Sequence, residues 1–383
     1  MNTVDLFCGC GGLSLGFELK GFNIIGAYDS WDAAIESYCT NFSHKAYKLD
    51  LSNIDLAIST ISPLNPEIII GGPPCQDFSS AGDRQEGKRA VLTVSYAKII
   101  SSIQPKYFVM ENVSRARYSM AYKEARVIFK NAGYGLTEQI LDASKCGVPQ
   151  KRKRFFCIGK LNAMDGFLDK YITNKLSALP LTVREYFTDN NIPIDFEYYY
   201  RHPRTYSRRA IYSIDEPSPT IRGVNRPKPP QYMRHKNDAA NPDNINALTT
   251  NQRAIIQTFP LNFYFSKNQA IAEQMIGNAV PVNLAQYVAN AINADNNGTV
   301  GTINISFADW LRIKHNFSPL AIKDTLSRIN RCNRLKPVVK NDISNYLNIL
   351  ESDCRFKNLS TTIRSQLKRS LTLYDEYTKE VGQ

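Results

Sequence analysis

Short apolar segments alternate with amphipathic segments over roughly the first 160 residues of this 383-residue chain. We predict that the apolar segments are strands, at residues 3–7, 24–28, 68–71, 107–110 and 154–159. The segments between them have helical periodicity, at residues 13–20, 31–41, 91–102 and 121–131. Strands separated by helices predict an α/β fold, with a parallel sheet covered on both faces. Ligands of such sheets bind at the carboxyl ends of the strands, so functional residues should follow the strands directly.

The charge balance is basic, with 47 Lys and Arg against 35 Asp and Glu and a formal net charge of +12. This balance favours a polyanionic partner, because Lys and Arg displace counterions from phosphates. No apolar run approaches the ~18 residues of a membrane span, and no secretory signal precedes the first strand. The eight Cys and four His show no metal-ligand spacing. We therefore expect a cytoplasmic protein with reduced thiols, no metal and no membrane contact.

Two later regions differ from the α/β segment. Residues 170–245 are rich in Pro, Arg and Tyr and lack periodicity, which indicates an irregular module with a few short strands, or else a solvated linker. The aromatic density favours a binding module, since arginine interleaved with tyrosine suits phosphate and guanine contacts. Residues 302–383 predict several helices, with 14 Lys and Arg against 8 Asp and Glu. This segment is either a small DNA-contacting domain or a basic packing appendage.

A glycine-rich turn, Gly9-Cys10-Gly11-Gly12, follows the first predicted strand. A dinucleotide fingerprint would also need glycine at position 14, where Ser14 stands, so a pyrophosphate site fits poorly. An adenosine-type ligand without phosphates stays open. Asp29 ends the second strand, where a carboxylate can accept hydrogen bonds from ribose hydroxyls. Asp50 follows at the next strand position and is suited to an adenine amino group.

The turn Gly71-Gly72-Pro73-Pro74-Cys75-Gln76 follows the third apolar strand. Most cysteines are small core residues, but two glycines and two prolines indicate an exposed turn here that presents one thiol. Cys75 thus stands where α/β enzymes carry a nucleophile. Glu111 ends the next strand, where a carboxyl group can share a proton with a ligand.

The segment Gln150-Lys151-Arg152-Lys153-Arg154 leads into the last predicted strand. Alternation along an extended segment places Gln150, Arg152 and Arg154 on one side and the two lysines on the other. Taken alone, the segment is typical of a solvated basic edge strand.

Five ordered blocks together resemble the C5-cytosine DNA methyltransferase family, over about two thirds of the chain. They are Asp5-Leu6-Phe7-Cys8-Gly9-Cys10-Gly11-Gly12, Gly72-Pro73-Pro74-Cys75-Gln76, Glu111-Asn112-Val113, Gln150-Lys151-Arg152-Lys153-Arg154 and Gln274-Met275-Ile276-Gly277-Asn278-Ala279-Val280-Pro281. The resemblance implies a Rossmann-like S-adenosylmethionine-dependent methyltransferase sheet, a smaller irregular target-recognition domain and a helical C-terminal extension. We assign residues 1–170, completed by about 265–295, to catalysis and cofactor binding, 171–264 to target recognition, and 302–383 to the extension.

The resemblance also implies a mechanism. The Cys75 thiolate would attack C6 of a cytosine flipped out of duplex DNA, so that C5 takes the methyl group of S-adenosyl-L-methionine. Glu111 would hold the N3/N4 edge of the base and Arg154 its O2 atom, with Arg152 supporting the site electrostatically. Loss of the C5 proton then expels Cys75.

Binding residues follow from the same resemblance. The cofactor positions, which the block at 274–281 should complete by folding back, are Phe7, Gly9, Gly11, Gly12, Leu13, Asp29, Asp50, Leu51, Pro74, Leu92, Asn278 and Val280. The expected DNA contacts are Gln76, Ser79, Arg204, Arg208, Arg209, Arg222 and Arg226.

Three departures from the family pattern accompany the match. Asp29 stands where glutamate is usual and is one methylene shorter. Gly87-Lys88-Arg89 replaces an Asp-Pro-Arg segment after the catalytic turn. Asn251-Gln252 and Ile255 replace an Arg-Glu pair and a later Arg before Gln257-Thr258-Phe259-Pro260. That element normally organises the recognition module, so we expect its support to be rebuilt here.

Three alternatives compete with this assignment. A tRNA cytosine methyltransferase of the same fold would carry a Cys-Phe-Thr element, which this chain lacks. An inactive DNA-binding relative would have lost Cys75, Glu111 or the arginine pair, and a nicotinamide oxidoreductase would need the missing glycine. The sequence therefore predicts a monomeric bacterial restriction–modification methylase that acts on a specific duplex sequence, with a cognate restriction endonuclease as its genetic partner.

Overall fold

The computed structural model describes residues 1–74, 91–203, 205, 208–300, 307–315, 317–336 and 343–381. The chain forms two compact units, Met1–Asn297 and Gly298–Gln383. No helix among the described residues is long and apolar enough to cross a bilayer.

A seven-stranded sheet organises the first unit. Its strands are β1 (Asn2–Leu6), β2 (Asn23–Asp29), β3 (Ala46–Lys48), β4 (Ile68–Gly71), β5 (Tyr107–Val113), β6 (Tyr134–Asp142) and β8 (Lys153–Leu161), and the short β7 (Gln150–Lys151) lies outside it. The strand order is β3-β2-β1-β4-β5-β8-β6. The first five strands are parallel, which confirms the prediction for β1, β2, β4 and β5; β3 was not predicted as a strand. The expectation of a wholly parallel sheet is wrong for β8, which is antiparallel to β5 and β6. The connection from β6 to β8 is too short for the crossover that a parallel pair requires.

Among the described residues, five helices connect these strands, within one or two residues of their predicted bounds where a prediction was made. They are α1 (Gly12–Glu18), α2 (Asp32–Asn41), α3 (Ile54–Ile61), α4 (Val91–Ile103) and α5 (Met120–Asn131). Alternation along β5 shows that both faces of the sheet are covered. Phe108 packs in the core with Tyr96 of α4 and Phe129 of α5. Tyr107 points the other way and donates a hydrogen bond to Asp295 at 2.6 Å.

The region after β8 is irregular, as predicted. It contains α6 (Asp169–Asn174), α7 (Val183–Asp189), the antiparallel pair β9 (Tyr198–Tyr200) and β10 (Ile211–Ser213), and β11 (Ser218–Pro219), which pairs with β7. Residues 220–249, all of them described, form neither helix nor strand. The buried Asp238 carboxylate organises part of this chain, because it accepts the N–H groups of Ala210 and Ile211 and the Tyr232 hydroxyl. The alternative of a solvated linker is therefore wrong.

Three helices complete the first unit: α8 (Thr250–Ile256), α9 (Gln269–Asn278) and α10 (Val282–Asn296). The second unit is helical, with α11 (Phe307–His315), α12 (Pro319–Leu335), α13 (Ile343–Ser352), α14 (Cys354–Lys357) and α15 (Thr361–Val381). One of its cores is built around Cys332, Tyr346 and Leu371, and the Tyr346 hydroxyl donates to the Cys332 carbonyl at 2.9 Å.

Candidate active site

The glycine-rich loop joins β1 to α1 and is tied to the end of β2. Phe7 and Gly9 have positive φ angles of 60° and 54°. The Asp29 carboxylate accepts the Gly9 N–H at 2.8 Å through Oδ2 and the Trp31 N–H at 2.9 Å through Oδ1. A Cβ placed on Gly9 would have no other heavy atom within 4 Å, so open space borders the loop at this point.

The chain between α9 and α10 lies against the same loop. A Cβ on Gly12 would lie 2.4 Å from the Val280 carbonyl oxygen, so no larger residue fits here. The prediction that residues 274–281 fold back onto the glycine-rich turn is therefore confirmed. Val280 and Leu13 are buried, whereas Asn278 at the end of α9 is exposed.

The other cofactor candidates divide by burial. Asp50 is exposed after β3, and hydrogen bonds from Ser52 lower the pKa of its carboxyl. Leu51 is buried in the same hydrophobic core as Val4. The candidates that are half-buried are Phe7, Asp29, Pro74 and Leu92.

Glu111 and Arg154 meet where β5 and β8 pair. The Arg154 Nε atom lies 2.9 Å from Glu111 Oε1, and the two side chains are 14% and 11% exposed. Burial raises the pKa of the Glu111 carboxyl, and the nearby guanidinium groups of Arg154 and Arg152 oppose that rise. The structure thus brings together three residues that the sequence assigned to one site.

The turn that precedes Cys75 is anchored to the same strand. Asn112 Nδ2 donates to the Pro73 carbonyl at 3.2 Å. A Cβ on Gly72 would lie 3.2 Å from Glu111 Oε2, so the turn passes directly over the glutamate. The predicted nucleophile Cys75 and the predicted DNA contacts Gln76 and Ser79 lie outside the described residues.

Arg152 is fully buried and binds main-chain carbonyls. Its Nη1 donates to Ile221 and its Nη2 to Gly277 and Ala279, each at 2.9 Å. Gln150, also buried, accepts the Ile221 N–H at 2.9 Å. These bonds join the strand that carries Arg154 to the irregular region and to the end of α9.

The predicted alternation along this segment is confirmed, because Lys151 and Lys153 are exposed while Gln150 and Arg152 are buried. The interpretation as a solvated edge strand is wrong, since β8 lies between β5 and β6.

A cleft of about 970 Å³ opens beside Arg154. Two acidic residues, Asp142 and Glu216, line it. Its nine basic lining residues are Arg115, Lys151, Arg152, Lys153, Arg154, Arg201, Arg208, Arg209 and Arg222. A concave surface with this excess of positive charge attracts a phosphate backbone. Sequence reasoning missed Arg115, Lys151, Lys153 and Arg201 as cleft residues, although the alternation along 150–154 had already placed both lysines at the surface.

The predicted DNA contacts in the irregular region have different surroundings. Arg208 is exposed at the cleft. Arg209 pairs with Glu216, and its guanidinium lies 4.2 Å from the centre of the Tyr212 ring. Arg222 donates to the His202 carbonyl.

Two candidates remain, Arg226 and Arg204. Arg226 is exposed but is not a lining residue of the cleft, and Arg204 lies outside the described residues. The described part of the chain contains no group of three or more His, Cys, Asp or Glu side chains that could hold a metal ion.

Relatives of known class match most of the chain. A model of the C-5 cytosine-specific DNA methylase family matches residues 1–294. The chain is 53% identical over 295 residues to the Type II methyltransferase M.HgiDI of Herpetosiphon aurantiacus, covering 77% of this chain and 94% of that protein. It is 54% identical over 295 residues to the Type II methyltransferase M.HindV of Haemophilus influenzae, covering 76% and 96%.

Solved structures show the same fold at lower identity. The S. pombe Dnmt2 methyltransferase superposes with a TM-score of 0.60 at 19% identity, covering 77% of this chain and 99% of that one. The Entamoeba histolytica methyltransferase EhMeth superposes with a TM-score of 0.59 at 20% identity, covering 77% and 98%. On the family match, the chain belongs to the C-5 cytosine-specific DNA methylase family and is an S-adenosylmethionine-dependent methyltransferase.

Proposed function

We propose that the chain methylates C5 of one cytosine within a short, specific sequence of duplex DNA, as the modification enzyme of a restriction–modification system. The observation that carries the proposal is the Glu111–Arg154 pair, which lies beneath the turn leading to Cys75 and beside an arginine-rich cleft. The similarity to two Type II methyltransferases supports the restriction–modification setting. In that setting the enzyme works as a cytoplasmic monomer on the nucleoid, and a neighbouring endonuclease gene is expected.

The residues act on a cytosine that has been flipped into the site. The Cys75 thiolate adds to C6, and the electron density that develops at C5 takes up the methyl group. Loss of the C5 proton then breaks the bond between sulfur and C6 and restores the ring. Because burial raises the pKa of Glu111, this carboxyl is suited to share a proton with N3 of the base. Arg154 would bind O2, and the buried Arg152 adds positive charge behind both groups.

The strand ends of β1, β2 and β3 suit S-adenosyl-L-methionine, which supplies an electrophilic methyl group when bound. Each Asp29 oxygen accepts one backbone N–H and keeps a second acceptor position for a ribose hydroxyl. The open space beside Gly9 leaves room for the ligand along the loop. Phe7 and Asp50 would border the adenosine, and Asn278 would reach the site from the end of α9.

The experiment is tritium transfer from labelled S-adenosylmethionine to duplex DNA and, separately, to tRNA. We expect label on C5 of DNA cytosine with the wild-type enzyme and none with Cys75→Ser. Cys39→Ser is the matched control, because Cys39 is an exposed cysteine far along the chain from the catalytic turn. Label on tRNA alone would make the chain an RNA methyltransferase, and label on neither substrate would favour the inactive DNA-binding alternative.

We further propose the domain limits given above and a DNA-contacting role for residues 302–383. The exposed face of α12 carries Lys323, Arg331 and Arg334, and none of these has an ion-pair partner among the described residues. Such cations would add contacts to phosphates on either side of the target. Replacing the three with glutamine should reduce the salt dependence of DNA binding, by about three in the slope of log K against log salt at most. An unchanged slope would leave a packing role for this segment.

A further inference from the structure

A buried ion pair lies behind the wall of the cleft that Arg222 lines. Arg253 of α8 pairs through Nη1 with Glu273 of α9, and the two side chains are only 4% and 5% exposed. Arg253 stands one position after the Asn251-Gln252 departure from the family pattern. The pair therefore lies in the element whose support of the recognition module we expect to be rebuilt.

Both partners hold the main chain that carries Arg222. Arg253 Nη2 donates to the Arg222 carbonyl. Glu273 Oε1 accepts hydrogen bonds from Asn225 Nδ2 at 3.2 Å and from the Thr250 hydroxyl at 2.9 Å. Asn225 also donates to the Leu248 carbonyl at 2.8 Å. The segment from 222 to 225 is thus fixed at both ends by one buried ion pair.

Helix α9 also packs directly on this segment. A Cβ on Gly277 would lie 2.0 Å from the Gly223 nitrogen and 2.2 Å from the Arg222 carbonyl carbon, so only glycine permits this approach. Arg222 also lines the cleft. Its main chain therefore has little freedom to shift relative to α9.

A buried ion pair is seldom the most stabilising choice for a core, because apolar residues of similar volume avoid the desolvation of two charges. Burial, together with the nearby Arg201 and Arg222, lowers the pKa of Arg253 to about 10, and the group stays charged at neutral pH. Two hydrogen bonds of the pair, to the Arg222 carbonyl and from Asn225, end on the segment 222–225, and a third comes from Thr250 of α8. The pair is therefore better explained by its effect on the orientation of the segment 222–225 than by a contribution to the stability of the folded protein.

We propose that Arg253 and Glu273 form a positioning pair, which sets the main chain at Arg222 and thereby the affinity of the cleft for its DNA sequence. The inference rests on the proposed function, since it takes Arg222 as a DNA contact. The pair touches neither the reacting base nor the methyl donor.

The test compares Arg253→Met/Glu273→Met with the wild type on a duplex that the enzyme methylates. We expect the double variant to remain folded, with kcat and the Kd for S-adenosylmethionine nearly unchanged and the KM for DNA raised about 10-fold. In an Arg222→Gln background, the same double substitution should raise the KM no further, because it acts through Arg222. Arg184→Met/Glu197→Met is the matched control, since that pair is exposed in the same region and should leave the KM for DNA unchanged.

Independent effects of the pair and of Arg222 on KM would overturn the inference, as would a folded double variant with wild-type KM. If the double variant does not fold, Asn225→Ala removes one of the hydrogen bonds and should give a smaller rise in KM that also vanishes with Arg222→Gln. A wild-type enzyme that labels no DNA would instead refute the proposed function.

Discussion

Two glutamate–arginine pairs among the described residues of the first unit are largely buried, one at the cleft and one behind it. Glu111 and Arg154 keep 11% and 14% of their side-chain surface exposed. Glu273 and Arg253 keep 5% and 4%, and the glutamate is surrounded by Arg253, Asn225 and Thr250. The same two residue types thus occur in an open setting and in a closed one.

The difference shows how the surroundings decide what a buried carboxylate can do. Glu111 lies at the end of a strand, under a turn, where burial raises its pKa and part of its surface can still meet a ligand. Glu273 of α9 is enclosed by donors from α8 and from the loop at Asn225, so its charge is used in contacts within the protein. We expect substitutions at Glu111 to change turnover, whereas substitution of Glu273 alone should change stability and the KM for DNA but not turnover.

Glu111→Gln should have the largest effect. It keeps the shape of the side chain but removes the proton-sharing carboxyl, so kcat should fall by about 100- to 10,000-fold. The free energy of unfolding should be unchanged or higher. Burial disfavours the charged carboxylate of Glu111, and a neutral amide avoids that cost. Tritium transfer and urea unfolding measure the two quantities. Glu138→Gln is the control and should leave kcat unchanged. Glu138 lies in β6 of the same sheet and also pairs with an arginine, Arg126 of α5, but it is not a lining residue of the cleft.

Glu273→Gln should give the opposite result. The substitution leaves the buried Arg253 guanidinium without its counter-charge, which typically destabilises a protein by about 3–5 kcal/mol. The urea midpoint of the first unit should fall accordingly, while kcat at saturating DNA changes little. Glu197→Gln, which removes an exposed partner of Arg184, should leave that midpoint nearly unchanged. Loss of turnover with an unaltered midpoint would abolish the contrast between the two glutamates.

The smallest of the three effects should be a shift in the pKa of the Glu111 carboxyl, produced by Arg154→Gln. Burial raises the pKa of Glu111 and Arg154 opposes that rise, so removing the arginine should raise the pKa further. The Glu111 carboxyl would then stay protonated to higher pH. The ¹³C shift of its carboxyl carbon, followed against pH, measures this. Arg126→Gln, which removes the partner of Glu138, should not move the Glu111 titration, and a lower pKa in Arg154→Gln would contradict the assignment.

The parts of the fold that follow from local patterns could be predicted from the sequence. Strands β2, β4 and β5 are largely apolar, β1 alternates the apolar Val4 and Leu6 with polar residues, and the helices between them show amphipathic periodicity. Strand β6 was missed, because its sequence YGLTEQILD mixes polar and apolar residues without a clear period. Its polar residues are used in specific contacts, as when Glu138 accepts hydrogen bonds from Tyr122 and Arg126.

The candidate site likewise has a part that could be predicted from the sequence and a part that could not. The ordered blocks named Glu111 and Arg154, and the end of the second strand named Asp29, because all three stand at strand ends at the ligand-binding edge of the sheet. They could not show that Arg152 would bind carbonyls at Ile221, Gly277 and Ala279, between 69 and 127 residues away along the chain.

The sequence by itself determined the class of sheet, the family and the order of the chemistry-bearing residues, because these depend on periodicity and on short motifs. The tertiary structure alone decided that β8 is antiparallel, that nine basic residues line one cleft, and that Arg253 meets Glu273. These features depend on contacts between distant segments. The free energy of burying a charge depends on such contacts, since a guanidinium is tolerated in a core only where acceptors from other parts of the chain surround it.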